Sequence, residues 1–148
     1  MLIDLKREDL EAAFGPENER RLFAPTNLLD QAQVDAATRA AVERYGRIDV
    51  VCNIAGGFRM GEPIHQTSDR TWDFLFDINA RSLLYAARSV VPLMIDAGGG
   101  KIVNVGAYAA KKGVAHMGSY CAAKSSVIRM TEDARAIHGA AVPVTGLS

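Results

Sequence analysis

Ile48-Asp49-Val50-Val51-Cys52-Asn53-Ile54-Ala55-Gly56-Gly57 is the stretch on which the fold turns. An apolar run broken only by Asp49 has the composition of a strand buried in a parallel sheet. It passes at once into an asparagine and a turn of small residues. The same order returns downstream, where Ile102–Val105 reads as a buried strand and runs into Gly106 and Ala107. Between them a helix is expected from about Arg70 to Ala97, capped by Ser68 or Asp69 and stopped by Gly98-Gly99-Gly100. Residues 56–66 form the intervening loop.

Upstream the alternation continues. Met1–Leu5 reads as a strand, Lys6–Phe14 as a short helix broken by Gly15-Pro16, and Arg21–Pro25 as a second strand. A helix over Gln31–Tyr45 follows, capped by Asn27 or Asp30. Its apolar residues Val34, Ala37, Ala41 and Val42 share one face. Downstream, Ser119–Ile137 reads as helix and Ala141–Thr145 as a last strand. Strands alternating with helices predict an α/β fold around a parallel sheet. Ligands in such folds bind beyond the carboxyl ends of the strands, which points to Asp4, Asn27, Asn53–Gly57, Gly106–Ala107 and Thr145–Ser148.

Composition narrows the function. The chain of 148 residues is one domain's worth, without internal repeat or linker. Its 17 basic and 17 acidic residues cancel, so no electrostatic footprint for nucleic acid or an anionic membrane exists. No apolar run approaches the roughly 20 residues of a membrane span, and charges from the fourth residue onward do not suit a signal peptide. Cys52 and Cys121 are expected as buried, reduced thiols. His65 and His138 have no metal-ligand spacing, and no metal site is expected. These features favour a cytoplasmic domain that binds a small molecule.

Tyr120 and Lys124 stand four apart at the start of a helix and share a face. An ammonium near a phenol favours the phenolate and lowers the tyrosine pKa, which suits proton transfer near neutral pH. Such a pair on its own is common on helix surfaces; its surroundings here are not.

Ser119-Tyr120-Cys121-Ala122-Ala123-Lys124 resembles the catalytic segment of the short-chain dehydrogenases/reductases. Asn53-Ile54-Ala55-Gly56 resembles that family's NNAG segment, Asn79 in Asp77-Ile78-Asn79-Ala80 its helix asparagine, and Lys101–Val105 its fifth strand. Asp4 matches the acidic residue ending its second strand. The resemblance spans nearly the whole chain in family order. It implies a Rossmann-like, doubly wound parallel sheet and an NAD(P)-dependent oxidoreductase acting on a small carbonyl, alcohol or imine-like substrate. On the same basis Tyr120 is the general acid/base, Lys124 holds the nicotinamide ribose and lowers the Tyr120 pKa, and Asn79 holds a water of a proton relay. Asp4 binds the adenosine ribose, Asn27 the adenine amino group, and Asn53, Ala55 and Gly56 line the cofactor. A carboxylate at Asp4 implies NAD over NADP, a preference that Lys6 and Arg7 weaken.

Three departures stand against the family pattern. Ala107 occupies the position of the catalytic serine, and alanine donates no hydrogen bond. The serine-less arrangement of Val105-Gly106-Ala107, Met117-Gly118 and Tyr120 with Lys124 is similar to quinonoid dihydropteridine reductase. The chain also opens at what matches the second strand, with no G-x-x-x-G-x-G turn. The sheet is then incomplete, lacking its first and seventh strands, and it must close a gap or dock its first ~46 residues poorly. Finally, the chain ends near the sixth strand, leaving Phe58, Arg59, Met60 and 109–117, with His116, as the substrate side. The expectation is a single partial domain over 1–148, a fragment with weak dinucleotide binding and little turnover. Assembly as a homodimer or homotetramer is expected through helices 70–97 and 119–137. The alternative is a non-catalytic remnant that acts as an oligomerisation scaffold.

Overall fold

Short parallel strands alternate with helices through residues 1–133, the part of the chain that the computed structural model describes. Strand β1 (Leu2–Asp4) leads to helix α1 (Arg7–Phe14), and β2 (Phe23–Pro25) to α2 (Gln31–Tyr45). The second half runs β3 (Val50–Asn53), α3 (Asp69–Phe76), α4 (Ser82–Asp96), β4 (Lys101–Asn104) and α5 (Gly118–Asp133). The expected strand at 141–145 and the end of the last expected helix lie outside the described residues.

Local chemistry accounts for the boundaries. The Asp30 carboxylate accepts from the Ala32 and Gln33 amides and caps α2, whereas Asn27 turns its oxygen to the Leu29 amide. Gly46, at φ 81°, ends α2 in a conformation that costs glycine little. Ser68 caps α3 through the Thr71 amide. The helix expected over 70–97 is continuous but not uniform, since Asp77–Arg81 forms a π-helical turn between α3 and α4. Such turns reset the facing of the residues they carry, and this one carries Asn79 at 0% exposure.

The strands form two separate pairs, β1 with β2 and β3 with β4, both parallel. The gap expected between them stays open. The two halves join instead through α2 and α4, where Gln31 donates to the Tyr85 carbonyl (3.2 Å) and to Ser89 Oγ (2.9 Å), and Ser89 donates to Asp35. Val34, Ala37 and Ala41 of α2 and Leu83, Ala86, Val90 and Met94 of α4 are buried.

Two expectations need correction. β3 and β4 are not covered on both faces: Val50 is 52% and Val103 51% exposed, while Val51 and Ile102 are half-buried. Side chains alternate across a strand, and among the described residues only one face of this pair is packed. Cys52 lies on the open face and is exposed, so of the two thiols only Cys121 is buried.

Candidate active site

Asn53 and Asn104 close β3 and β4 in register with each other. Asn53 Nδ2 donates to Asn104 Oδ1 (2.8 Å), and Asn104 Nδ2 donates to Thr131 Oγ1 of α5 (2.9 Å). Two side-chain amides at the strand ends thus pin both strands to the helix that carries Tyr120 and Lys124. Sequence reasoning gave Asn104 and Thr131 no role. The available signal was the pairing of two asparagines at equivalent strand ends, visible only once the register is known.

Beyond these ends Gly56 and Gly57 lie against the π-helical turn. Asn79 Nδ2 donates to the carbonyls of Gly57 and Leu75 (both 2.9 Å), and its Oδ1 accepts from the Gly57 amide (3.2 Å). Both side-chain donors are therefore committed to the protein, and the side chain acts as a clasp on the loop. The fit tolerates no side chain. A Cβ on Gly57 would lie 2.7 Å from Phe74 Cζ, and one on Gly56 would lie 2.9 Å from Asn79 Oδ1 and 3.2 Å from Lys124 Nζ.

Lys124 is 5% exposed. Its ammonium donates to the Val105 carbonyl at 2.9 Å, one bond for a group with three donors. Burial pushes its pKa below the ordinary lysine value. Tyr120 is half-buried and packs edge-on against Phe58, with ring centroids 4.9 Å apart. Burial, with Cys121 adding to it, raises the phenol above its ordinary value. The direction is opposite to the lowering expected from Lys124, whose ammonium donates to the Val105 carbonyl.

Other expected residues separate into groups. Asp4 is exposed at the end of β1, and its Oδ1 accepts from the Leu5 amide (2.6 Å). Arg7 is paired with Glu17 at 2.6 Å, which takes up the charge expected to offset Asp4. Asn27 is exposed beyond β2. Ala55 is exposed beside Gly56, while half-buried Ala107 precedes a short 3-10 turn at Tyr108–Ala110. A pocket of about 220 Å³ opens beside Tyr120, lined by residues of the 59–67 loop, α3 and the start of α5. His116 lines it, at a left-handed φ of 61°. Phe58 and Ala107 do not, although Phe58 touches Tyr120. Among the described residues no cluster suits a metal ion, and no helix is long and apolar enough to cross a membrane.

For a nicotinamide cofactor the residues fit at one end. The Lys124 ammonium, buried beside the exposed Gly56, keeps donors to spare among the described residues, whereas the space at the two glycines is taken by Asn79, Lys124, Phe74 and Ile78.

Comparison with known proteins agrees with this arrangement. A family model described as short chain dehydrogenase matches residues 1–146. Galactitol 2-dehydrogenase of Agrobacterium fabrum is 34% identical over 134 residues, covering 89% of this chain and 51% of the relative. Sorbitol dehydrogenase of Cereibacter sphaeroides is 37% identical over 109 residues, covering 73% and 42%. The crystal structure of levodione reductase superposes with a TM-score of 0.81 at 29% identity, covering 90% of this chain and 54% of that one. The chain thus spans about half the length of these relatives.

Proposed function

Because the chain belongs to the short-chain dehydrogenase family, we propose that it carries the acid–base part of a nicotinamide-dependent oxidoreductase active on a small carbonyl or alcohol. The observation that carries this reading is Lys124, a buried ammonium one helical turn from Tyr120 with a single hydrogen-bond partner among the described residues. A structural lysine gains little from burial, since desolvation opposes its charge. A lysine kept to bind ribose hydroxyls beside a reacting tyrosine has a reason to stay.

The cofactor supplies or accepts hydride when bound. Lys124 would hold its nicotinamide ribose, and Gly56 with Asn53 would border it. Tyr120 would give its phenolic proton to the substrate oxygen in reduction and take one back in oxidation. An ammonium drawn from Val105 toward the ribose would bring the phenol pKa down toward neutrality. Asn79 would keep Gly57 in place, so its contribution is positional. With Ala107 in the serine's place, a donor for the substrate oxygen is missing, a loss worth about 10²–10³ in rate where chemistry depends on it. An already polarised acceptor, as in the imine-like class, depends on it least.

Asp4 supports NAD rather than NADP, since its carboxylate is exposed at the strand end and Arg7 is held by Glu17. Assembly through helices 69–96 and 118–133 is supported by the exposure of Trp72, Leu84 and Ile95, at 40%, 38% and 57%. Titration of the 148-residue chain with NADH and NADPH, followed by nicotinamide fluorescence, tests the reading. Weak but saturable binding with NADH preferred is expected, with what little turnover there is abolished in Tyr120→Phe while binding is retained. A folded chain that binds neither nucleotide overturns it for this polypeptide.

A further inference from the structure

Phe58 is half in solvent, yet the loop that carries it is anchored on both sides. Just before it, Gly57 is held by the Asn79 side chain through its amide and its carbonyl. The contact of Gly57 with Phe74 and Ile78 pins the same backbone by packing. Just after it, the Arg59 guanidinium lies over the Phe74 ring, 4.0 Å from its centre. Farther along, the Gly61 amide donates to the His116 carbonyl, and Glu62 Oε2 accepts from the Ser68 amide, both at 3.1 Å.

Between these anchors the Phe58 ring is aimed at Tyr120. The two planes stand at 84°, an edge-to-face arrangement in which the positive rim of one ring meets the negative face of the other. Phe58 does not line the pocket beside Tyr120, so its contact is with the tyrosine itself. The titratable and charged groups around Tyr120 are Cys121 and Lys124 on α5, with Arg59, Glu62 and His116 of the loops. The α3 residues that line the same pocket, Thr71 and Leu75, carry no charge. Phe58 adds no charge to this set. It acts on the phenol by holding the ring and by keeping water from it.

We infer that Phe58 is a positioning residue for Tyr120: its ring fixes the angle of the phenol and shields it from solvent, and the Asn79 clasp reaches the site of proton transfer through it. The inference deepens the oxidoreductase reading, which supplies the reason to hold this phenol. A proton donor already oriented loses less on reaching the reactive geometry.

The test uses the 148-residue chain with 13C-labelled tyrosine, whose ring-carbon signals follow the ionisation of each phenol, with Tyr120→Phe identifying the signal. Burial leads the causes that raise Tyr120 above 10.0. Phe58→Ala is therefore expected to move its midpoint down toward 10.0, and Phe58→Leu, which keeps an apolar cover, to move it less. Tyr45, Tyr85 and Tyr108, whose rings do not pair with Phe58, should titrate as before. An unchanged Tyr120 midpoint in Phe58→Ala overturns the inference, and so does a common shift of all four tyrosines, which would mark general loosening. On the unmodified chain, the absence of cross-relaxation between the Phe58 and Tyr120 ring protons overturns it without any variant. A midpoint that depends on Phe58 in a chain that binds neither NADH nor NADPH leaves the positioning of Tyr120 standing and sinks the oxidoreductase reading instead.

Discussion

Gly57 shows what a single atom costs at this site. Its missing Cβ is the space that Phe74 and Ile78 fill. Gly57→Ala is therefore expected to destabilise by about 1–3 kcal/mol, the range for overpacking, and to loosen the clasp of Asn79. A lower urea midpoint with an unchanged slope would show it. Lys124 makes a prediction of the opposite kind, about pH. Its folded pKa lies below the ordinary 10.5. Between the two values the unfolded chain binds more protons, so stability rises with pH through that window. Lys124→Met should flatten that rise on the alkaline side below 10.5 in urea midpoints. Tyr120 has the reverse sign, since its raised pKa means that stability falls once pH passes the ordinary phenol value of 10.0. A rise that persists unchanged in Lys124→Met would show that another group carries it.

The elements are held by few side chains, each with a definite task. Asp30 serves two amides at the start of α2, so Asp30→Ala should cost about 1 kcal/mol and lower the thermal midpoint by several degrees. The π-helical turn depends on Asn79, which bonds both to Leu75 within its own helix and to Gly57 across the loop. Asn79→Ala leaves the half-buried Gly57 carbonyl and the buried Leu75 carbonyl short of a donor, a loss of about 1–3 kcal/mol for a buried unsatisfied group and less for a half-buried one. Amide exchange in residues 55–58 should quicken more than in α2, which Asn79 does not touch. Uniform quickening through both would assign Asn79 to global stability and not to the loop.

At the scale of the whole molecule, the two pairs of strands share no ladder among the described residues, and those residues leave one face of the second pair open. Val50, Ile54, Val103 and Val105, at 52%, 71%, 51% and 46% exposure, form an apolar surface of the kind that drives association. Sedimentation of the chain should show concentration-dependent self-association, and Ile54→Thr with Val103→Thr should reduce it while leaving helicity unchanged. The sequence by itself located every described strand and α-helix to within a few residues, though not the π-helical turn or the 3-10 turns, and it carried the Tyr120–Lys124 pair and the family. Period, caps and short-range spacing are properties of local chain, and they survive in any surroundings. The pairing of Asn53 with Asn104, the clasp of Asn79 on Gly57 and the turn of Lys124 toward Val105 were decided by tertiary structure alone. Each joins residues brought together by register or packing, and a one-dimensional pattern carries no record of which strand face is covered or which donor finds an acceptor first. The open face of β3 and β4 is the plainest case: composition states that these residues are apolar, and only the arrangement of the helices decides whether anything covers them.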